Sequence, residues 1–461
     1  MTTTTNATQA PQNPPAELGR SLRSRHVAMI AIGGIIGAGL FVGSSTSIST
    51  VGPAVIITYA ISGLVILMIM RMLSEMAMAS PRTGSFTEFV RLGLGHGAGF
   101  VAGWLYWYFW VVVVPVEAIA GAVIIRQWLP QFEVWEIGTA LLALMTGVNL
   151  LSTRSYGEVE FWLSSTKVAA IIVFIVLGAA WAFGFTSPAG PTFANLTAHG
   201  GFAPNGYAAV LAGVTSVIFS VVGAEISTIA AAESNEPAKT IAKAATSVAI
   251  RILLFYILSI GLIVSILPWT SIVPGESPFT QTLVLMKIPG AATVMSLIVL
   301  VAVLSCLNSS LYVTSRVLFV LAAKGDAPNW LVALTGRQVP ARSILVGSLF
   351  GYLALAASVL SPQMVFSFLI NSSGATMLII YLMVCAAQIR NRRVLEAVTP
   401  DRLTLRMWWF PYASYLTAGA IVAVLVAMAF KRDLAIQLIT SLVVAALVWV
   451  LYRVFRRGKL A

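Results

Sequence analysis

The sequence predicts an all-α integral membrane protein with twelve transmembrane helices: two inverted repeats of five, with helices 1 and 6 broken, plus two extra helices. Three observations carry this. Of 461 residues, 58% are hydrophobic and 10% charged, and mean hydropathy is +0.91, whereas a soluble domain carries about 25% charged residues. Apolar stretches near the length that crosses a roughly 30 Å hydrocarbon layer, about 20 residues, recur twelve times. The first and sixth of them share an interruption. A membrane barrel would show alternating segments of roughly ten residues instead of long continuous runs.

In chain order the spans fall near 27–45, 52–76, 98–125, 134–152, 158–183, 206–232, 244–267, 288–322, 342–360, 362–387, 409–430 and 434–455. Residues 1–24 are rich in Thr, Asn, Gln and Pro and read as a disordered cytoplasmic tail. They do not read as a signal peptide, because the first apolar run is a full span with no convincing small-residue cleavage site after it. Residues 25–387 read as a ten-helix inverted-repeat core, 388–408 as a polar cytoplasmic connection, and 409–461 as the last two helices with a basic cytoplasmic end.

The net charge of +12 invites a nucleic-acid reading, and the positions of the basic residues argue against it. With a cytoplasmic amino terminus, 24 of the 28 Lys and Arg fall on the inner side, among them Arg20, Arg71, Arg91, Lys324, Arg392 and Arg453. Arg126, Lys287, Lys431 and Arg432 are the exceptions. This is the positive-inside pattern, so both termini are expected in the cytoplasm, with no nucleic-acid partner. The two cysteines, Cys306 and Cys385, lie in apolar spans as small fillers. Neither a disulfide framework nor a metal site is expected, and no histidine lies within a span to relay protons.

Span 1 carries "IIGAG" (Ile35–Gly39) and span 6 "VVGAE" (Val221–Glu225), five helices apart. Inverted repeats with an interrupted first helix in each copy are a transporter pattern, and the binding site lies between the breaks. Close packing is the other reading, since Gly33 and Gly37, like Gly39 and Gly43, match small-xxx-small spacing. The echo in span 6, with Ser220 and Gly223 beside Glu225, favours unwinding at Gly37–Gly39.

An ionisable residue deep in a span is a functional candidate, because its placement there is costly. Glu117 precedes Arg126 by nine residues and sits roughly 13 Å deep, near the midplane. Lys167 follows Glu158 by nine residues, to a similar depth from the other side. Lys167 either reaches back along its stem to the interface or serves as a buried proton carrier. Its helical face holds Glu160 and Ser164, which looks like a polar seam. Glu117 is either a cavity group or a carboxyl that joins helices. Glu225 either gates, or caps amides freed by the break. In span 8, Ser305, Asn308, Ser309, Tyr312 and Arg316 form one polar stripe, turned to protein or a cavity. The aromatic run Trp104–Trp110 reads as outer-half packing, and Glu75, Glu158 and Glu233 as structural or gating charges near helix ends.

These residues resemble the amino acid permeases of the amino acid-polyamine-organocation superfamily from about Arg25 to Tyr452. The motifs are "IGGIIGAGLFVGS" (Ile32–Ser44), "RMLSEMAMASPRTGSF" (Arg71–Phe86), "GEVEFWLSSTKV" (Gly157–Val168), "FSVVGAEISTIAAAES" (Phe219–Ser234) and "LSCLNSSLYVTSR" (Leu304–Arg316). Within the bacterial branch, Trp107–Ile125 and "NSSGA" (Asn371–Ala375) are most similar to 4-aminobutyrate (GABA) permeases. The resemblance implies the leucine-transporter-type fold and alternating access. It implies that the Ala38 and Gly39 amides, beside Gly37, receive a substrate carboxylate, and that the carbonyls of Ile35, Phe219 and Val222 receive its ammonium. By the same resemblance Lys167 fills the place of a sodium ion and takes up the proton, Glu225 gates, and Glu117 lines the cavity. The chain departs from the pattern at Ala232, where the family often has glycine before Glu233.

The function expected is proton-coupled import of a small amino acid, GABA first, with no cofactor beyond the proton gradient. Ser305 and Asn308 join the substrate-binding candidates, and Ser309 joins Lys167 and Glu225 in coupling or gating. The expected partners are the amino acid, protons and membrane lipid, in a monomer or an oligomer. Proline, aromatic or basic amino acids are the alternative substrates. A channel lacks its continuous polar lining, a membrane-embedded sensor its signalling domain, and an enzyme its metal cluster or nucleophile–base pair.

Overall fold

The computed structural model describes residues 29, 36–80, 86–226, 253–274, 276–360, 365, 369, 373 and 375–458. The described elements are helical. They are α1 (Ala38–Phe41), α2 (Gly43–Val51), α3 (Val55–Ala79), α4 (Phe86–Leu94), α5 (His96–Arg126), α6 (Val134–Leu151), α7 (Thr153–Ala182) and α8 (Asn195–Ala198). There follow α9 (Gly206–Val221), α10 (Leu258–Ile266), α11 (Pro278–Leu285), α12 (Ala291–Ala323), α13 (Ala341–Ser358), α14 (Thr376–Val398), α15 (Tyr412–Ala429) and α16 (Arg432–Gly458). Among the described residues, eight helices are long and apolar enough to cross a membrane: α3, α5, α6, α7, α12, α13, α15 and, over Leu434–Val454, α16.

Local chemistry fixes several helix starts. Glu133 and Glu136 form a reciprocal capping box at α6. The Ser152 side chain accepts the Ser155 amide at the start of α7, and Ser277 with Pro278 opens α11. Inside the bundle, helices pack through small residues. A Cβ at Gly213 of α9 would lie 2.7 Å from Val51 and 3.3 Å from Thr58. Thr58 Oγ1 donates to the Val210 carbonyl at 3.1 Å. Helix α12 packs most extensively on α5, and also on α7, α13 and α6.

The ends of the helices are tied by buried charge. Glu75, at the end of α3, accepts from Gln388 at 2.7 Å, from the Met407 amide at 2.5 Å and from the Arg392 guanidinium. Arg91 of α4 pairs with Glu88 at 3.0 Å and with Asp326, which follows α12. Asn391 Nδ2 donates to the Phe89 carbonyl at 3.1 Å and joins the two groups. The connections after α3, α12 and α14 therefore share one end of the bundle, along with many of the basic residues.

Four expectations change. The polar connection begins at Thr399 and not at Gln388, because α14 continues to Val398 and turns Gln388 and Arg392 inward onto Glu75. The helical segment of span 1 reaches Val51, beyond residue 45. Short α4 links α3 to α5, where the sequence suggested only a loop. The run Trp104–Trp110 sits toward the His96 end of α5: Trp104 Nε1 donates to the Asp326 carbonyl at 3.2 Å, so these aromatics belong to the end that carries Arg91. The tail 1–24, Gly33, Gly34, Ile35, Ala232 and Glu233 lie outside the described residues.

Candidate functional site

In the first segment α1 starts only after Gly37, whose backbone is extended (φ −125, ψ −158). The neighbours leave little room there. A Cβ on Gly37 would meet Cys306 Sγ at 3.1 Å and Glu117 Oε1 at 3.3 Å. Glu117 is 5% exposed, and its carboxyl interacts with the Ala38 backbone and the Cys306 thiol. Its Oε2 has no hydrogen-bond partner among the described residues. A buried polar atom without a partner is costly, which marks this point as one where a ligand group would be welcome.

Lys167 does not reach for the interface. Its side chain is fully buried, and Nζ donates to the Ile36 carbonyl at 2.7 Å, across the break. An unwound carbonyl is a natural cation partner, because no amide four residues on claims it. Among the described residues, Glu160, Cys306 and Glu117 act on Lys167 electrostatically.

The second break follows α9. Val222 is extended (φ −62, ψ 145), and Gly223 has φ 120, a region that favours glycine. In an unbroken helix the Gly223 amide would bond to the Phe219 carbonyl; it donates instead to Glu225 Oε2 at 3.2 Å. Glu225 thus caps the break. It also accepts from Tyr381 at 2.9 Å and from Tyr106 at 3.3 Å. Tyr256 donates to the freed Ser220 carbonyl at 2.9 Å.

The two breaks touch. Ser220 Oγ donates to the Gly39 carbonyl at 3.0 Å, and a Cβ on Gly39 would lie 2.9 Å from Ser220 Cα. Gly39 therefore serves close packing between α1 and α9, while the extended backbone is at Gly37. This divides the glycine roles differently from the expected opening over Gly37–Gly39. Gly43 is under no such demand, with Ser220 Oγ at 3.8 Å.

Gly37, Ala38, Gly39, Glu117, Lys167, Val222 and Glu225 thus gather around the breaks. Phe219 lies in the last turn of α9, beside them. Ser305 and Asn308 turn to a protein group. Ser305 Oγ donates to Glu160 and Asn308 Nδ2 donates to its other oxygen at 3.2 Å. Ser309 turns to the Tyr156 hydroxyl at 3.3 Å, in a layer where Tyr156 stacks on Tyr312 at 4.1 Å. The Arg316 guanidinium lies over the Tyr312 ring at 4.1 Å. Sequence reasoning missed Tyr106, Tyr256 and Tyr381, since an apolar run gives no sign of where a hydroxyl points. Glu160 carried a signal in its i, i+4, i+7 seam with Ser164 and Lys167, but was not counted among the site residues.

A model of the family described as amino acid permease matches residues 26–461. The chain belongs to the amino acid permease family. A gamma-aminobutyric acid permease of Bacillus subtilis is 44% identical over 445 residues, 96% of this chain and 95% of that protein. A gamma-aminobutyric acid permease of Escherichia coli is 43% identical over 431 residues, 93% and 92% of the two chains. An aromatic amino acid transport protein of Corynebacterium glutamicum is 38% identical over 407 residues, 87% of each. This permease is accordingly a multi-pass membrane transport protein and not an enzyme.

Proposed function

We propose that this permease imports GABA with protons by alternating access around the two breaks, across a bacterial cytoplasmic membrane and without a cofactor. The observation that carries the coupling is the bond from Lys167 Nζ to the Ile36 carbonyl at 2.7 Å. A cation held at an unwound carbonyl occupies the kind of site that a coupling ion takes in broken-helix transporters, and a buried lysine fills or vacates it by gaining or losing a proton. Glu225 then gates by holding the second break closed through Gly223, Tyr106 and Tyr381.

In this reading the substrate carboxylate meets the Ala38 and Gly39 amides at the start of the half-helix, where backbone dipoles favour an anion. The ammonium group meets the Ile35, Phe219 and Val222 carbonyls or the unpartnered oxygen of Glu117. GABA sets its charges three methylenes apart, which suits two breaks that touch at Gly39 and Ser220. High identity to GABA permeases, over nearly the whole of each chain, supports this substrate before aromatic, basic or proline alternatives. The inverted repeat and twelve spans fit the paired breaks, and the basic end of the bundle fits cytoplasmic termini.

A competition panel in proteoliposomes under an imposed pH gradient tests the substrate. Unlabelled GABA should suppress labelled GABA uptake at least tenfold more effectively than proline, lysine, phenylalanine or alanine. Equal or better competition by any of these would reassign the substrate.

A further inference from the structure

We infer that Glu160 is a positioning residue that governs proton loading of Lys167 and ties that event to helix α12. The inference rests on Lys167 being the coupling group. Glu160 has no exposed surface, and its carboxyl is gripped from two helices. On its own helix, Ser164 Oγ donates to Oε1 at 2.8 Å. From α12, Ser305 donates to the same oxygen, and Asn308 Nδ2 donates to Oε2 at 3.2 Å. The orientation of Asn308 is itself fixed, because Asn149 Nδ2 donates to Asn308 Oδ1 at 2.9 Å and to the Met145 carbonyl at 3.0 Å. An acceptor on one side leaves Asn308 only its amide hydrogens to offer Glu160.

Such a carboxyl is an anchored charge. Lys167 stands seven residues along α7 on the same face, roughly 10 Å of rise away, with two long side chains to span the interval. Among the described residues, the titratable groups that act on Lys167 are Glu160 on its own helix, the Cys306 thiol from α12 and Glu117 from α5. Glu117 also interacts with the Ala38 backbone at the first break. The hydrogen bonds of Glu160 run to α7 and α12 and not to the described residues of the first break, so its carboxyl is placed by the bundle and not by the segment that would meet substrate. A protonated Lys167 leaves Glu160 compensated; a neutral one leaves a buried carboxylate with dipolar partners alone, a costly state in low dielectric. Proton loss from Lys167 therefore loads the Ser305 and Asn308 contacts, and α12 senses the step.

If Glu160 merely pinned α7 to α12, its charge would be irrelevant to the pH at which transport works. The test is GABA uptake by Glu160→Gln in proteoliposomes, measured against the pH of the proton-supplying side, with GABA counterflow at zero gradient as the check that the protein is folded and binds. Removal of the negative charge makes proton loading harder, so the pH of half-maximal uptake should fall by about one unit while counterflow persists. If Glu160→Gln lacks counterflow, Glu160→Asp replaces it, and should give a smaller shift in the same direction. A half-maximal pH equal to that of the wild type, or a more alkaline one, in whichever variant sustains counterflow would overturn the inference. The wild-type arm separates the underlying reading: wild-type uptake that ignores the pH gradient would refute proton coupling itself.

Discussion

Glu117 and Lys167 face the same break from different helices, and they differ in how far their polar atoms are satisfied. Lys167 is bonded to the Ile36 carbonyl, whereas Glu117 keeps one oxygen without a partner among the described residues. Pro115, two residues earlier in α5, lacks an amide hydrogen and so loosens the helix ladder just there. If the free oxygen serves the substrate ammonium, Glu117→Gln removes a charged hydrogen bond worth about 1.5–3 kcal/mol. The GABA concentration for half-maximal uptake should then rise about tenfold or more, with the protein still present in the membrane. An unaltered affinity and substrate profile would remove Glu117 from the site. That both residues lie inside long helices was legible in the sequence, and the structure buries both side chains, although the helix of Lys167 starts at Thr153 and not at Glu158. Their partners were not, because helix rotation and side-chain direction depend on packing that an apolar run does not encode.

At the scale of elements, the broken helices were legible through the repeated Gly-Ala step, and the structure assigns each glycine its own duty. Gly223 supplies a backbone at φ 120, and Gly39 supplies clearance of 2.9 Å against the Ser220 backbone. Neither demand can be met by a larger residue without a shift. Gly223→Ala carries strain of about 1–3 kcal/mol, and Gly39→Val adds a clash that backbone cannot relieve by rotating a side chain. Each should lower GABA uptake more than tenfold while membrane-embedded protein remains; unchanged uptake in both would return the breaks to a passive packing role. Less visible beforehand were α4 and the inward face of α14. Gln388 and Arg392 look like loop residues by composition, yet they are buried because Glu75 gathers them.

For the whole molecule, the sequence conveyed the class, the charge asymmetry and the pairing of spans 1 and 6. It conveyed little of how distant segments close on one another. The end of the bundle that carries Arg91, Asp326, Glu75 and Arg392 is stitched by contacts between residues hundreds of positions apart, and the Glu225–Tyr106–Tyr381 cluster joins α5, α14 and the second break. On the proposed mechanism, these ties would hold one arrangement until ligand and proton change the balance at the breaks. The most direct test is accumulation of labelled GABA in proteoliposomes under an imposed pH gradient, with wild type beside Lys167→Ala. Wild type should concentrate GABA above the outside level, and Lys167→Ala should exchange GABA without concentrating it. Accumulation by Lys167→Ala to the wild-type level would contradict proton coupling through this lysine.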